Sequence, residues 1–362
     1  MKNSNKNTSN YLKIAKGLML LSTYSILFLI VYYLIASYNI GEIVLRLSLS
    51  SFCGLTNMAN SRFNCSMTPF MLSNDDETVI YDKHYELRKL LEAASSKEKT
   101  VILTYINSAW AAPNSIFEIF LESFRIGNNT AYLLNHLLAI AVDDAAYARC
   151  QTLVFHCYLL KSYEPSSALA HQATFMTPSY LDIVWSRLTF LQTILTLGYN
   201  FVITDNDVVW FRDPFPHFTP ESDFQTSCDH FNGREYDINN HPNNGFLFVR
   251  SNNRTIKFYE FWASSRPKYS SMHEQDAFNR LKYDPAFHQF GVKIRFLDTA
   301  YFGGFCQPSK DLDKVCTMHA NCCVGLHRKI ADLNTTLNVW KTYLSSNLTK
   351  SSRPFHANKC IV

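Results

Sequence analysis

No glycine-rich phosphate loop is present. Neither GxGxxG after a strand-like run nor GxxxxGK(S/T) occurs in the 362 residues, which hold only 11 glycines. Any phosphate this chain binds must therefore be met by something other than a backbone cradle, and a divalent cation on carboxylates is the obvious partner. A basic surplus on the folded part is missing as well. The formal charge of +4, from 34 basic and 30 acidic residues, is carried entirely by Lys2, Lys6, Lys13 and Lys16, so the other 346 residues balance at 30 against 30. That balance excludes a nucleic-acid partner of the usual basic-patch kind. No internal repeat or long low-complexity tract occurs. Charged residues make up only 18% against 47% hydrophobic, which rules out global disorder and leaves material for a large core.

Charge is absent altogether from Gly17 to Gly41. A helix of about 20 residues crosses the roughly 30 Å hydrocarbon core, so this span is long enough for a membrane anchor. No Ala-x-Ala cleavage site follows Ala36, which disfavours a removable signal peptide. The lysines ahead of the span orient the N-terminus to the cytosol. The expected organisation is a cytosolic basic tail over 1–16, a transmembrane signal-anchor over 17–41, a luminal stem over 42–98 and a folded domain over 99–362. Two further features agree with a lumen. All ten cysteines (Cys53, Cys65, Cys150, Cys157, Cys228, Cys306, Cys316, Cys322, Cys323 and Cys360) lie beyond the span, where an oxidising compartment lets them pair in a connectivity that sequence does not give. Five glycosylation sequons, at Asn64, Asn128, Asn253, Asn334 and Asn347, lie beyond it too.

Past a predicted stem helix over 82–94, short apolar runs alternate with helical ones. Strands are predicted over 100–107, 136–143, 157–160, 201–205, 224–229, 245–249 and 292–297. Helices are predicted over 116–124, 145–151, 180–197, 256–262 and 274–281, the fourth-strand region being announced by a glycine stop at Gly198. This alternation implies one α/β domain with a mostly parallel sheet covered on both faces. Ligands of such sheets sit beyond the carboxyl ends of the strands, which draws attention to Asn107, Asp143-Asp144 and Asp205-Asn206-Asp207.

The last of these is the most informative. Phe201-Val-Ile-Thr runs straight into Asp205 and Asp207. Side chains alternate along an extended chain, so the two carboxylates are expected on one side with Asn206 on the other. Together they suit one hard cation whose free positions accept diphosphate oxygens. A bare Asp-x-Asp is more often an acidic turn; the buried strand before it and the long helix before that raise its standing.

The run from Leu197 through Asp205-Asn206-Asp207 and Trp210-Phe-Arg-Asp-Pro-Phe215 resembles the plant nucleotide-diphospho-sugar transferase family, which includes rhamnogalacturonan-II xylosyltransferases and extensin arabinosyltransferases. The similarity continues through Asn243-Asn-Gly-Phe-Leu-Phe-Val-Arg-Ser251, His273-Glu-Gln-Asp276, Phe296–Phe305 and Thr317–Cys323. It implies a Golgi type II glycosyltransferase of GT-A fold that takes a sugar, a pentose or galactose, from a nucleotide donor, UDP-linked by family analogy, to a glycan or glycoprotein acceptor. It further implies manganese as the cation, with Asp205 near ribose and metal, Asp207 on the metal, and retention of configuration. The family's usual His-Asp-Gln-Asp is His273-Glu-Gln-Asp here, which keeps a carboxylate at 274.

The remaining candidates have two readings each. Asn244 and Gly245 open a strand where a ligand can approach the backbone, or form an ordinary Asn-Gly turn. Gln275 and Asp276 face the donor or acceptor in catalysis, or Asp276 merely stabilises a helix N-terminus. His319, within Cys316-x2-His319-x2-Cys322-Cys323, is the candidate third metal ligand once disulfides claim the cysteines. Lys329 meets the diphosphate or is a solvated lysine, Arg187 meets a phosphate or a surface acid, and Thr104 and Asn107 contact the nucleotide or serve a turn. Rival functions are a catalytically silent sugar-binding protein and a luminal metal-dependent phosphohydrolase, the latter lacking the cluster of His and Asp ligands that two metals need.

Overall fold

The computed structural model describes residues 84–160, 176–345, 355 and 357–360. The expected signal-anchor over 17–41 lies outside the described residues, as do most of the stem and Cys53 and Cys65. Among the described residues no helix is long and apolar enough to cross a membrane.

The first half alternates as expected: α1 (Tyr85–Ala94), β1 (Thr100–Ile106), a short α2 (Ser108–Ala111), α3 (Ile116–Ile126), β2 (Leu137–Ala141), α4 (Asp144–Cys150), β3 (His156–Leu159), α5 (Pro178–Thr196) and β4 (Asn200–Thr204). The second half adds β5 (Val208–Trp210), β6 (Phe224–His230), β7 (His241–Val249), α6 (Asn253–Ser264), α7 (Glu274–Leu281) and a short α8 (Pro285–His288). Then come β8 (Ile294–Phe296), β9 (Phe302–Gly304), β10 (Thr317–His319) and the long α9 (Leu326–Ser345). Seven strands form one sheet in the order β3-β2-β1-β4-β7-β6-β8. All pairs are parallel except those that β7 makes with β4 and β6. The expectation of an α/β fold on a mostly parallel sheet therefore holds. A second sheet, β5-β10-β9, was not anticipated, because its three-residue strands carry no periodicity to read.

Alternation explains how the large sheet is buried on both sides. In β1, Val101 and Leu103 join one core with α1, α5, α6 and α7, while Ile102 and Ile106 join the other with α3. Leu87, Leu91 and Ala94 of α1 sit in the first of these cores, so the helix assigned to the stem packs as part of the folded domain. Helix α5 begins at the Thr177 cap with Pro178 in its first turn and stops at Gly198, whose φ of +87° suits only glycine. A third core, with Val209, Phe211, Met318, Leu333 and Trp340, joins the small sheet to α9.

Strand order reverses at β1. The chain leaves β1 for β2 and β3 on one side and returns to β4 on the other, which opens a crevice beyond the carboxyl ends of β1 and β4. The acidic pair stands at that reversal.

Candidate active site

The structure corrects the reason given for the pair while keeping its outcome. Strand β4 ends at Thr204, and Asp205–Asp207 form a turn closed by the Val208 N–H donating to the Asp205 carbonyl at 3.2 Å. Strand alternation therefore does not govern them. The turn nonetheless gathers carboxylate oxygens of Asp205 and Asp207 with a ring nitrogen of His319 so that these ligand atoms all lie within 4.8 Å of one another. Asn206 points elsewhere, its amide donating to the Tyr105 carbonyl. His319 arrives on β10, whose antiparallel register places it opposite Val208. The two sheets thus meet at the site.

Each acid has a basic partner within the chain. Arg187 of α5 donates to Asp205 Oδ1 at 2.9 Å and lies 4.6 Å from the centre of the Tyr105 ring. Of the two partners considered for Arg187, a phosphate or an acid, the acid is present, as a half-buried ion pair with Asp205. Burial alone would lower the Arg187 pKa, but Asp205 and Glu274 hold it above its ordinary value. Asp207, 1% exposed, is approached by His319 Nε2 at 3.2 Å and by Lys329 Nζ. Burial would raise its pKa; Lys329 and His319 overrule that and keep the carboxyl well below the usual range. Burial pushes the His319 pKa down and Asp207 pushes it up, with the net effect upward. Lys329 therefore belongs to the acidic pair itself and is not a solvated lysine.

Strand β7 closes the site from the other side. The Asp205 N–H donates to the Gly245 carbonyl at 2.8 Å. A Cβ on Gly245 would fall 2.3 Å from His319 Cε1 and 2.8 Å from Asp205 Oδ2, so only glycine lets the strand come this close. Asn244 is buried, and neither polar atom of its side chain has a partner. Its N–H donates to Gln275 Oε1 at 2.9 Å, which fixes Gln275 against β7. Asp276 is more exposed and lies 3.3 Å from His273 Nε2.

Glu274 is the residue whose position its sequence did not announce. It is half-buried, with its Oε2 shielded from solvent and without a hydrogen-bond partner, and desolvation raises its pKa against the opposing pull of Arg187. The carboxylate expected at the family's second motif position is thus a half-buried neighbour of the Arg187–Asp205 pair. Thr104 and Asn107, by contrast, are given structural bonds. The Thr104 hydroxyl, fully buried, donates to the Thr204 carbonyl at 2.8 Å, and Asn107 Oδ1 caps α2 by accepting the Trp110 N–H at 2.9 Å.

The cysteines also differ in part from expectation. Cys150–Cys157, Cys306–Cys322 and Cys323–Cys360 are bonded, whereas Cys316 and Cys228 are buried free thiols. Cys322 and Cys323 are claimed by disulfides as foreseen, leaving His319 to the aspartates, but Cys316 faces no cysteine partner.

A family model described as nucleotide-diphospho-sugar transferase matches residues 132–333, a stretch that holds Arg187, both aspartates, Asn244, Gly245, Gln275, Asp276, His319 and Lys329. An uncharacterized protein of Arabidopsis thaliana is 47% identical over 265 residues, covering 73% of this chain and 70% of that protein. The beta-arabinofuranosyltransferase RAY1 of the same plant is 27% identical over 51% of this chain and 34% of its own length. Among solved structures, mouse xyloside xylosyltransferase 1 overlaps 62% of this chain and 98% of its own at 14% identity, with a TM-score of 0.39 that carries no weight by itself.

Proposed function

From the chain's membership of the nucleotide-diphospho-sugar transferase family, which makes it a glycosyltransferase, we propose that it transfers a pentose or galactose from a UDP-linked donor to a glycan or glycoprotein of the plant cell wall. Manganese is the proposed cation, Asp205, Asp207 and His319 its ligands, and retention the stereochemical course. The observation that carries this reading is the convergence of those three side chains at the crevice where strand order reverses. Two carboxylates and an imidazole are a donor set suited to a borderline divalent cation, and His319 Nδ1 is buried without a partner, so His319 has a ring nitrogen uncommitted to the protein.

When bound, the cation supplies Lewis-acid neutralisation of charge on the departing diphosphate. The chain's own groups do the rest. Arg187 holds Asp205 in place from behind, which leaves the second oxygen of that carboxylate turned toward Gly245. Lys329 adds a positive charge beside Asp207, which would oppose the negative charge of a bound diphosphate. The amide of Asn244, buried and without a protein partner, is the proposed contact for sugar hydroxyls, and Gln275 and Asp276 lie in the first turn of the helix that flanks it. In the transfer, the bond from the anomeric carbon to the diphosphate breaks and a bond to the acceptor oxygen forms, the acceptor proton leaving with the diphosphate or to solvent.

A membrane-anchored, Golgi-luminal location belongs to the same proposal. It draws support from three disulfides and from the exposure of Asn128, Asn253 and Asn334. The test is a panel of UDP-arabinose, UDP-xylose and UDP-galactose given to the full chain with cell-wall oligosaccharides, with added manganese or with EDTA. Acceptor-dependent release of UDP that EDTA abolishes is the expected result. Release of inorganic phosphate, or no turnover with any donor, defeats the proposal.

A further inference from the structure

Asp229, near the end of β6, lies outside every motif discussed above. Its carboxylate accepts three side-chain amides from three separate parts of the chain. Asn243 Nδ2 of β7 donates to Oδ1 at 2.7 Å, Asn321 Nδ2 just past β10 donates to the same oxygen at 2.8 Å, and Gln275 Nε2 of α7 donates to Oδ2 at 2.9 Å. The other end of each amide is committed as well. Asn243 Oδ1 accepts the Gly245 N–H at 2.9 Å, Gln275 Oε1 accepts the Asn244 N–H at 2.9 Å, and Asn321 Oδ1 accepts the Cys306 N–H at 3.1 Å.

These bonds replace a missing ladder. Between β6 and β7 the register jumps from Thr226 opposite Leu247 to Ser227 opposite Asn243, so Asn244 and Gly245 have no partner on β6. Backbone N–H groups in that position need another acceptor. They find it in two amides that a single carboxylate orients, since a flipped amide would turn its oxygen toward the negative charge and its NH2 toward an N–H. The irregular segment so held is the one that lies against Asp205 and His319.

We propose that Asp229 is a positioning residue: by orienting Asn243, Gln275 and Asn321 it holds the Asn244–Gly245 segment against the metal-binding cluster without touching substrate. The inference rests on the proposed function for its consequence in catalysis, but the ordering of the segment is readable without it.

The geometry supplies a rescue. In Asp229→Asn, Oδ1 still accepts Asn243 and Asn321, while the new NH2 faces the Gln275 NH2, donor against donor. Adding Gln275→Glu turns that clash into an amide donating to a carboxylate, whose other oxygen still accepts the Asn244 N–H. The experiment compares wild type, Asp229→Asn and the double variant as full chains in two ways: hydrogen exchange at the Asn244 and Gly245 amides without metal or donor, and UDP release from the active donor with manganese. Losing the charge-assisted bond to Gln275 and leaving its donor unpaired is expected to speed exchange at the Asn244 amide about tenfold, with the Gly245 amide changed less because Asn243 keeps its acceptor, and to lower kcat by at least about as much. The melting temperature should change little, and the double variant should recover slow exchange. Unchanged exchange in Asp229→Asn overturns the proposal. So does fast exchange with wild-type turnover, or a double variant that exchanges as fast as the single one. If wild type turns over no donor, the functional proposal fails while the exchange comparison still decides whether Asp229 orders the segment.

Discussion

Gly245→Ala is the smallest change that should disable the site. The added Cβ would lie 2.3 Å from His319 Cε1, 2.8 Å from Asp205 Oδ2 and 2.9 Å from Asn243 Oδ1, where ordinary contact begins at 3.4 Å. His319 must therefore retreat by about 1 Å, or β7 must, since the imidazole is a rigid ring at 7% exposure with Asp207 at its Nε2. Overpacking of this size costs about 1–3 kcal/mol of stability, which a domain of this size tolerates. The catalytic cost is larger, because a misplacement of about 1 Å at a reacting centre lowers rates roughly a hundredfold. The assay is UDP release by the full chain across a manganese titration, alongside a thermal melt. The expected variant is folded, needs far more manganese for half-maximal rate, and turns over about a hundredfold more slowly. Wild-type turnover at wild-type manganese demand would refute the close approach of β7 to His319, and with it the assignment of His319 as a ligand.

Asp207→Ala should abolish manganese-dependent turnover, a loss of at least about a hundredfold, while circular dichroism stays native. Retained turnover would count against the acidic pair. Asp223 gives the pH dependence. Burial would raise its pKa, but Arg254, at 2.8 Å and 2.6 Å, with the Lys293 N–H and Asn252, brings it below the ordinary value. A carboxyl with a lowered folded pKa contributes stability above its unfolded value, near pH 4, and loses it as pH falls through the folded one. Asp223→Asn should therefore cost on the order of 1–3 kcal/mol at pH 7 and flatten the fall in melting temperature below pH 4; an unchanged acid limb would contradict the pairing. The double serine variant of Cys323 and Cys360 releases a 37-residue loop and should lose about 4 kcal/mol, read as a lower melting temperature. Because Asp332 accepts the N–H groups of Asn358, Lys359 and Cys360, part of the tail should stay docked.

Long periodic elements were legible because their signals are local. The buried run before Asp205 and the glycine stop after α5 read directly as strand and helix end, and the acidic pair at their junction read as a site. What failed depended on contacts distant in sequence. Whether Asp205–Asp207 continue a strand or turn is decided by β7 and β10, which lie far along the chain. The second sheet consists of three-residue strands, too short to show a pattern, that pair Val208–Trp210 with Thr317–His319 far along the chain. Thr104 and Asn107 read equally as nucleotide contacts or turn residues, and only the fold shows the Thr104 hydroxyl bonded to the Thr204 carbonyl and Asn107 Oδ1 capping α2. Cys316 sits in a cysteine-rich stretch, but its near neighbours pair with Cys306 and Cys360 instead. Asp229 gave no signal at all, since a carboxylate that organises three amides looks in sequence like any polar residue ending a strand.

The central claim is that one divalent cation is held jointly by Asp205, Asp207 and His319. Crystals of the protein grown with manganese and a UDP-sugar, measured at a wavelength where manganese scatters anomalously, test it directly. The account predicts one strong anomalous peak in bonding contact with all three side chains, with the diphosphate on its open side. A peak elsewhere, or a bound donor whose diphosphate lies away from the aspartates, would contradict it.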